Sequence, residues 1–245
     1  MQIRSFPNPE ALAKGAADFI YTRAQECLAH ADNFSLVLSG GSTPEQTYQQ
    51  LVHVSRKRAL NWSKVQVYWG DERCVPPDHA QSNYGMARRA LFYHVPIPEE
   101  NIHRMACEHD PDAGANSYEA LLHSHFEGQA YPAFDFILLG LGEDGHTASL
   151  YPGTVIVEEK SRWVAPVYVP HLDSWRISLT LPAINGAAQV VFLVAGEGKA
   201  PIIKQILEPS PQDQTYPAER VKPQGDLTWL LDQAAGRLLS YIERE

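Results

Sequence analysis

The sequence predicts an α/β protein with a largely parallel sheet covered by helices on both faces. Three observations carry this. Short apolar runs suited to doubly buried strands alternate with longer segments of helical spacing. The runs end in polar, glycine-bearing motifs, and ligands of such sheets bind beyond the carboxyl ends of the strands. The composition suits a chain with a real core: 245 residues, 44% hydrophobic and 20% charged.

The first helix is expected from about Pro9 to Ala31. Leu12, Ala16, Phe19, Ile20, Arg23 and Cys27 recur at mostly helical spacing, Asn8 suits the N-cap and Pro9 the first helical position. Phe34 to Leu38 reads as a buried strand feeding Ser39-Gly40-Gly41. Ser42 or Thr43 then caps a helix to about Val54, with Pro44 in its first turn and Glu45 or Gln46 completing a capping box. Val65 to Gly70 is a second strand, closed by Asp71-Glu72-Arg73, and a helix follows from about Ser82 to Tyr93. Ile102-His103-Arg104 is a candidate short strand, and Pro111 to Phe126 a helix. Phe134 to Leu139 is the strongest strand and ends in Gly140-Leu141-Gly142. Strands are also expected at Trp163–Tyr168, Arg176–Thr180 and Gln189–Val194, with a helix from Gly198 to Leu207. Pro209, Pro211, Pro217 and Pro223 suit a linker or a wall near the site. Trp229-Leu230-Leu231 and a final helix beyond it favour one packed domain over residues 1–245.

The net charge of −9 opposes nucleic acid and anionic membranes as partners, and makes any anionic ligand depend on a few placed cations. No apolar stretch approaches the ~18 residues of a membrane span, and MQIRSFPNPE lacks the apolar core of a signal peptide. A cytoplasmic protein is expected. Cys27, Cys74 and Cys107 are odd in number and form no C-x-x-C, so inert thiols in a reducing compartment are expected rather than disulfides or a cysteine zinc site.

Ser39 to Pro44 joins a strand to a helix. Its glycines allow close backbone approach, and the helix start offers free N–H groups to a phosphate; a tight, well-capped turn reads equally well. Gly140 to Gly145 matches G-x-G-x-x-G, but Pro152-Gly153 interrupts the long helix a dinucleotide fold needs, and Glu143 and Asp144 would repel a pyrophosphate. Asp144 and His146 at this strand end instead suit general acid–base chemistry, with a polar turn as the plainer alternative. Asp71-Glu72-Arg73 is either a solvated loop or a place for an acid or base beside a guanidinium. Lys199 at a helix start opposes the helix dipole, which fits ligand contact or a surface lysine. No H-E-x-x-H occurs, His123 and His125 point to different helix faces, and G-x-S-x-G is absent, so neither a metal site nor a serine hydrolase is supported.

The blocks SGGSTP (39–44), GDER (70–73), SNYGMARRAL (82–91), GLGEDGHTASLYPGT (140–154), RISLTLPAIN (176–185), FLVAGEGKA (192–200) and PAERVKPQGDLTWLLDQAA (217–235) cover most of the chain. In this order they resemble the glucosamine-6-phosphate isomerase/6-phosphogluconolactonase family, on its lactonase side. The resemblance implies a three-layer αβα sandwich around a mainly parallel, Rossmann-like sheet of the NagB/RpiA type. It implies hydrolysis of 6-phosphoglucono-lactone in the oxidative pentose phosphate pathway, with no metal or organic cofactor.

By position, His146 matches the catalytic histidine, with Asp144 beside it and Asp71 at the neighbouring strand end. Gly40, Gly41, Ser42, Thr43, Arg73, Arg176 and Lys199 match the substrate and phosphate side. Tyr151 stands where Phe is usual, Ser178 where Thr is usual, and Trp175 precedes the arginine. Deaminases of the family continue D-G-H with I-A-F-N-E-P; here Thr147 to Pro152 follows, without the Glu that partners their histidine. A sugar-phosphate sensor is the other reading, and the acidic chain, with no room for a DNA-binding segment before Pro9, does not favour it. A sugar-phosphate lactone is the expected partner, and a monomer the default, with at most a weak homodimer.

Overall fold

The computed structural model describes residues 1–210, 215–240 and 243–244. In chain order its elements are β1 (Gln2–Phe6), α1 (Pro9–Leu28), β2 (Phe34–Leu38), α2 (Ser42–Arg58), β3 (Val65–Trp69), β4 (Asp71–Arg73), α3 (Asn83–Ala90) and α4 (Pro111–His125). They continue as β5 (Phe136–Leu139), β6 (Val164–Val169), β7 (Ser174–Leu179), α5 (Leu181–Asn185), β8 (Gln189–Val194), α6 (Ala200–Leu207), β9 (Asp226–Asp232) and β10 (Glu243–Arg244), with short 3-10 turns between.

The main sheet has the order β10-β1-β9-β8-β5-β2-β3, and every pairing in it is parallel. Every residue of β2, β5 and β8 is buried, which is why these runs show no polar alternation. Helices flank the sheet, as the α/β sandwich requires. A single apolar cluster runs from Phe6 to Ala235, with the Phe192 and Trp229 rings stacked 4.0 Å apart inside it.

Several local expectations are corrected. The β6 and β7 strands leave the parallel sheet and form a three-stranded antiparallel sheet with β4, in the order β4-β7-β6. Pro166 is tolerated because β6 is an edge strand. The stretch 102–104 makes only one isolated bridge, Ile102 to Val67. The sequence reading missed β1, whose inner neighbour is β9. The residues after β9 turn rather than form a helix through 240; Pro211, 241, 242 and 245 lie outside the described residues. The α2 helix has no side-chain cap: Gly41, at φ 109°, takes the cap position. Asn8 and Pro9 start α1 as expected.

The cysteine expectation is overturned for two residues. Cys74 and Cys107 form a disulfide, with Cα atoms 4.7 Å apart across a separation of 33 residues. The odd count and missing C-x-x-C carried no information here, because tertiary folding brings the two residues together. Cys27 is free and half-buried, and burial pushes its thiol up to about 11.

Candidate active site

The parallel sheet reverses its winding between β2 and β5. The chain leaves β2 for β3 on one side, while β5 is followed in the sheet by β8 on the other. Such a switch point opens a crevice beyond the carboxyl ends of the strands. A cavity of about 560 Å³ lies there, lined by residues that follow β2, β3, β5 and β8.

Gly40, Asp71, Arg73, Asp144, His146, Arg176 and Lys199 all line this cavity. Gly41, Ser42 and Thr43 do not; they form the adjoining start of α2. Gly40 passes so close to Asn83 that a Cβ there would sit 1.9 Å from its Oδ1. The buried Tyr48 steadies this strand end, its hydroxyl accepting from Ser39 N–H at 2.9 Å and donating to Ser39 C=O at 2.8 Å.

His146 stands on a tight turn. Gly142 N–H donates to the His146 carbonyl at 2.8 Å, and Gly145 N–H to the Gly142 carbonyl at 3.1 Å. The absence of a side chain at Gly142 leaves room for the imidazole, because a Cβ would lie 2.1 Å from His146 Nδ1. Gly145 takes φ 77°, and Tyr216 packs against its open face. Ala218 N–H reaches the Gly145 carbonyl at 3.0 Å, so the proline-rich stretch supports this turn.

His146 Nδ1 lies 2.5 Å from Asp144 Oδ1. An ionised carboxylate only accepts, so Nδ1 carries the proton and Nε2 keeps its lone pair. Burial lowers the His146 pKa below the ordinary value, against the pull of Asp144 and Asp71, and Arg176 acts in the same direction as burial. Burial works against the Asp144 carboxylate too, but the charge and hydrogen bonds of His146 outweigh it and hold the carboxyl below its usual range. The imidazole stacks on Tyr151 at 4.0 Å, and Arg176 lies over the same ring at 5.5 Å.

The cationic wall is built by strand pairing. In the β4–β7 register Arg73 lies opposite Arg176 and Asp71 opposite Ser178. Like charges directly opposite are unfavourable, and Asp71 offsets them only in part, from 3.9 Å. The Nε atoms of both arginines are buried without a hydrogen-bond partner. Arg73 Nη1 donates to the Gln81 carbonyl at 2.6 Å. Asp71 is held by Ser149 Oγ at 2.6 Å and by Asn83 Nδ2 at 3.3 Å. Lys199 caps α6 from the preceding turn and makes no side-chain contact that would neutralise it among the described residues. Two arginines with an unpartnered buried Nε each and Lys199, all lining one cavity, suit a dianionic ligand.

The charged triplet is thus a buried strand, not a solvated loop. Glu72 faces away from the cavity and anchors α3, accepting from the N–H groups of Asn83 and Tyr84 at 2.8 Å each. Burial raises its pKa in spite of these bonds. Sequence reasoning passed over Asn83 and His171, which line the cavity, and Ser149, which holds Asp71. Asn83 carried a usable signal, since it follows the Ser82 N-cap in SNYG; His171 carried none.

The family model for glucosamine-6-phosphate isomerases/6-phosphogluconolactonase matches residues 7–229. The chain belongs to this family. Within it, the chain is 43% identical over 242 residues to the 6-phosphogluconolactonase of Synechocystis sp., covering 97% of this chain and 98% of that one. It is 40% identical, with the same coverages, to the 6-phosphogluconolactonase of Nostoc sp.. The structure superposes on 6-phosphogluconolactonase from Trypanosoma cruzi with a TM-score of 0.84, at 31% identity, over 98% of this chain and 97% of that one. Family membership places the α/β sandwich and its strand-end cavity in one frame. Among the described residues no helix is long and apolar enough to cross a membrane.

Proposed function

We propose that this chain hydrolyses 6-phospho-D-glucono-1,5-lactone to 6-phospho-D-gluconate, as the names of its relatives suggest. The observation that carries the reading is one cavity lined both by a histidine hydrogen-bonded to an aspartate, His146 and Asp144, and by Arg73, Arg176 and Lys199. The phosphate occupies the cationic wall beside the start of α2, where Gly40, Gly41, Ser42 and Thr43 offer backbone N–H groups. This anchoring orients the lactone carbonyl toward His146.

His146 Nε2 takes a proton from water as the water oxygen attacks the carbonyl carbon. Asp144 holds the ring and stabilises the imidazolium that forms. The tetrahedral intermediate collapses by breaking the bond to the ring oxygen, which receives the proton from His146. Asp71 orders Arg176 and Ser149 around the cavity. The reaction consumes one water, releases one proton from the product acid and draws on no cofactor. The chain acts as one unit over residues 1–245, a reading its continuous core supports, as a cytoplasmic monomer in the oxidative pentose phosphate pathway.

The test is hydrolysis of freshly made lactone, with and without its phosphate, corrected for spontaneous opening. Wild type should turn over the phosphorylated lactone and use the dephosphorylated one poorly. His146→Ala should lose roughly 10²–10⁴-fold. Wild-type rates no higher than background would end the lactonase reading. Full activity in His146→Ala would end the mechanism and leave the reaction.

A further inference from the structure

We propose that the Cys74–Cys107 pair is a thiol–disulfide modification site that sets the enzyme's affinity for the substrate phosphate. The proposal rests on the reading of Arg73 and Arg176 as the phosphate clamp. Its starting point is position. Cys74 directly follows Arg73, the last residue of β4. The β4 strand has three residues, lies at the edge of its sheet and pairs on one side only. Past Arg73 the chain turns away. Without the disulfide that end is held by the Cys74 N–H bond to the Trp175 carbonyl, at 2.9 Å, and by the Arg73 bond to Gln81.

The disulfide fastens this end to a rigid base. Cys107 is buried where the chain enters α4, and Gly114 of α4 packs so tightly on it that a Cβ would lie 2.7 Å from the Cys107 Cβ. The load on the clamp is also visible. Arg73 and Arg176 are direct cross-strand neighbours of like charge, with Asp71 only 5% exposed and serving Arg176 from 3.9 Å. Before phosphate binds, repulsion pushes the Arg73 end of β4 outward. The covalent link opposes that push, so Arg73 keeps its place opposite Arg176 in the empty site.

Reduction removes the link. A thiolate of a dithiol reductant attacks the half-buried Cys74 sulfur, the sulfur–sulfur bond breaks, and Cys107 leaves as a thiolate that takes a proton. The second thiol of the reductant then displaces Cys74, leaving two protein thiols and an oxidised reductant. The end of β4 is then free to yield. The His146 turn is held by Gly142, Asp144 and Ala218, with no hydrogen bond to either cysteine among the described residues, and keeps its geometry.

The experiment starts with the full chain prepared without reductant. Alkylation under denaturing conditions should block one thiol, Cys27, and three after treatment with dithiothreitol. Three free thiols in both samples would overturn the proposal. Steady-state kinetics of the oxidised and reduced forms follow. Reduction should raise KM for the phosphorylated lactone about tenfold, the loss of one hydrogen bond to a charged group at the weak end of its range, with kcat nearly unchanged. Slow hydrolysis of the dephosphorylated lactone should not change. Cys27→Ser should respond as wild type does, and Cys74→Ser/Cys107→Ser should match the reduced form and ignore dithiothreitol. Equal KM values in the two forms, or equal losses on both lactones, would refute the proposal. Rates no higher than background in both forms would instead strike at the lactonase reading itself, and activity in the reduced form alone would refute the proposal.

Discussion

Replacing Asp144 with asparagine isolates the charge that supports His146. The amide keeps the size of the side chain and can still accept from Nδ1–H, so the imidazole stays in its turn. What it loses is the carboxylate facing the ring at 2.5 Å. Hydrogen bonds to charged groups contribute about 1.5–3 kcal/mol, and the Asp144 side chain is 45% exposed, so solvent screening places this pair near about 1.5 kcal/mol. The imidazolium exists only after the base has taken its proton, so the loss falls on the transition state. It should lower kcat roughly tenfold, with KM little changed. The pH profile should also move. Burial already lowers the His146 pKa, and Asp144 is the main influence in the other direction. With Asp144→Asn the base stays deprotonated to lower pH, so the acid limb of kcat/KM shifts down while the plateau falls. Initial rates across a pH series, with the spontaneous reaction subtracted, measure both. A plateau within twofold of wild type, or an acid limb that moves up, would refute this account of the pair.

Arg176→Met should act mainly on KM for the phosphorylated lactone, by about tenfold or more, and should leave the dephosphorylated lactone almost unaffected; competition by inorganic phosphate gives a second readout. Gly142→Ala should cut kcat sharply, because the new Cβ occupies the place of the imidazole; the ring signals of His146 in an NMR spectrum should shift even without substrate. Tyr48→Phe leaves the N–H and C=O of Ser39 without their partner in a buried setting, so unfolding in urea should report a loss of about 1–3 kcal/mol.

The parts of the fold that the sequence made plain are those fixed by local rules. Asn8-Pro9 opens α1 because capping depends on neighbouring residues alone. The predominantly apolar β2, β5 and β8 announce burial on both faces. His146 and Asp144 stand out because a polar pair in a glycine-rich strand end is unusual. Features created by distant pairing were not readable. Glu72 looked like surface charge because its partners, Asn83 and Tyr84, lie across a loop. Nothing around Arg73 announced that it would face Arg176 across a separate sheet. The two cysteines met only through the placement of β4 beside the entry to α4. The α2 cap failed because Gly41 adopts a conformation that serine and threonine avoid, so the cap passes to the backbone.

The place of β1 has a consequence for how the molecule is made. The β1 strand pairs with β9 and β10, which follow it by more than two hundred residues and are therefore synthesised well after it. Until Asp226–Asp232 emerges, residues 2–6 have no neighbouring strand, and the growing chain must carry them unpaired. The turn bearing His146 waits as well, since its support at Ala218 comes more than seventy residues later. Folding therefore includes a late closure that brings β1 onto β9, and such long-range pairing is slow. A stalled or truncated chain would hold most of the cavity's side chains and still lack the strand that seals its sheet.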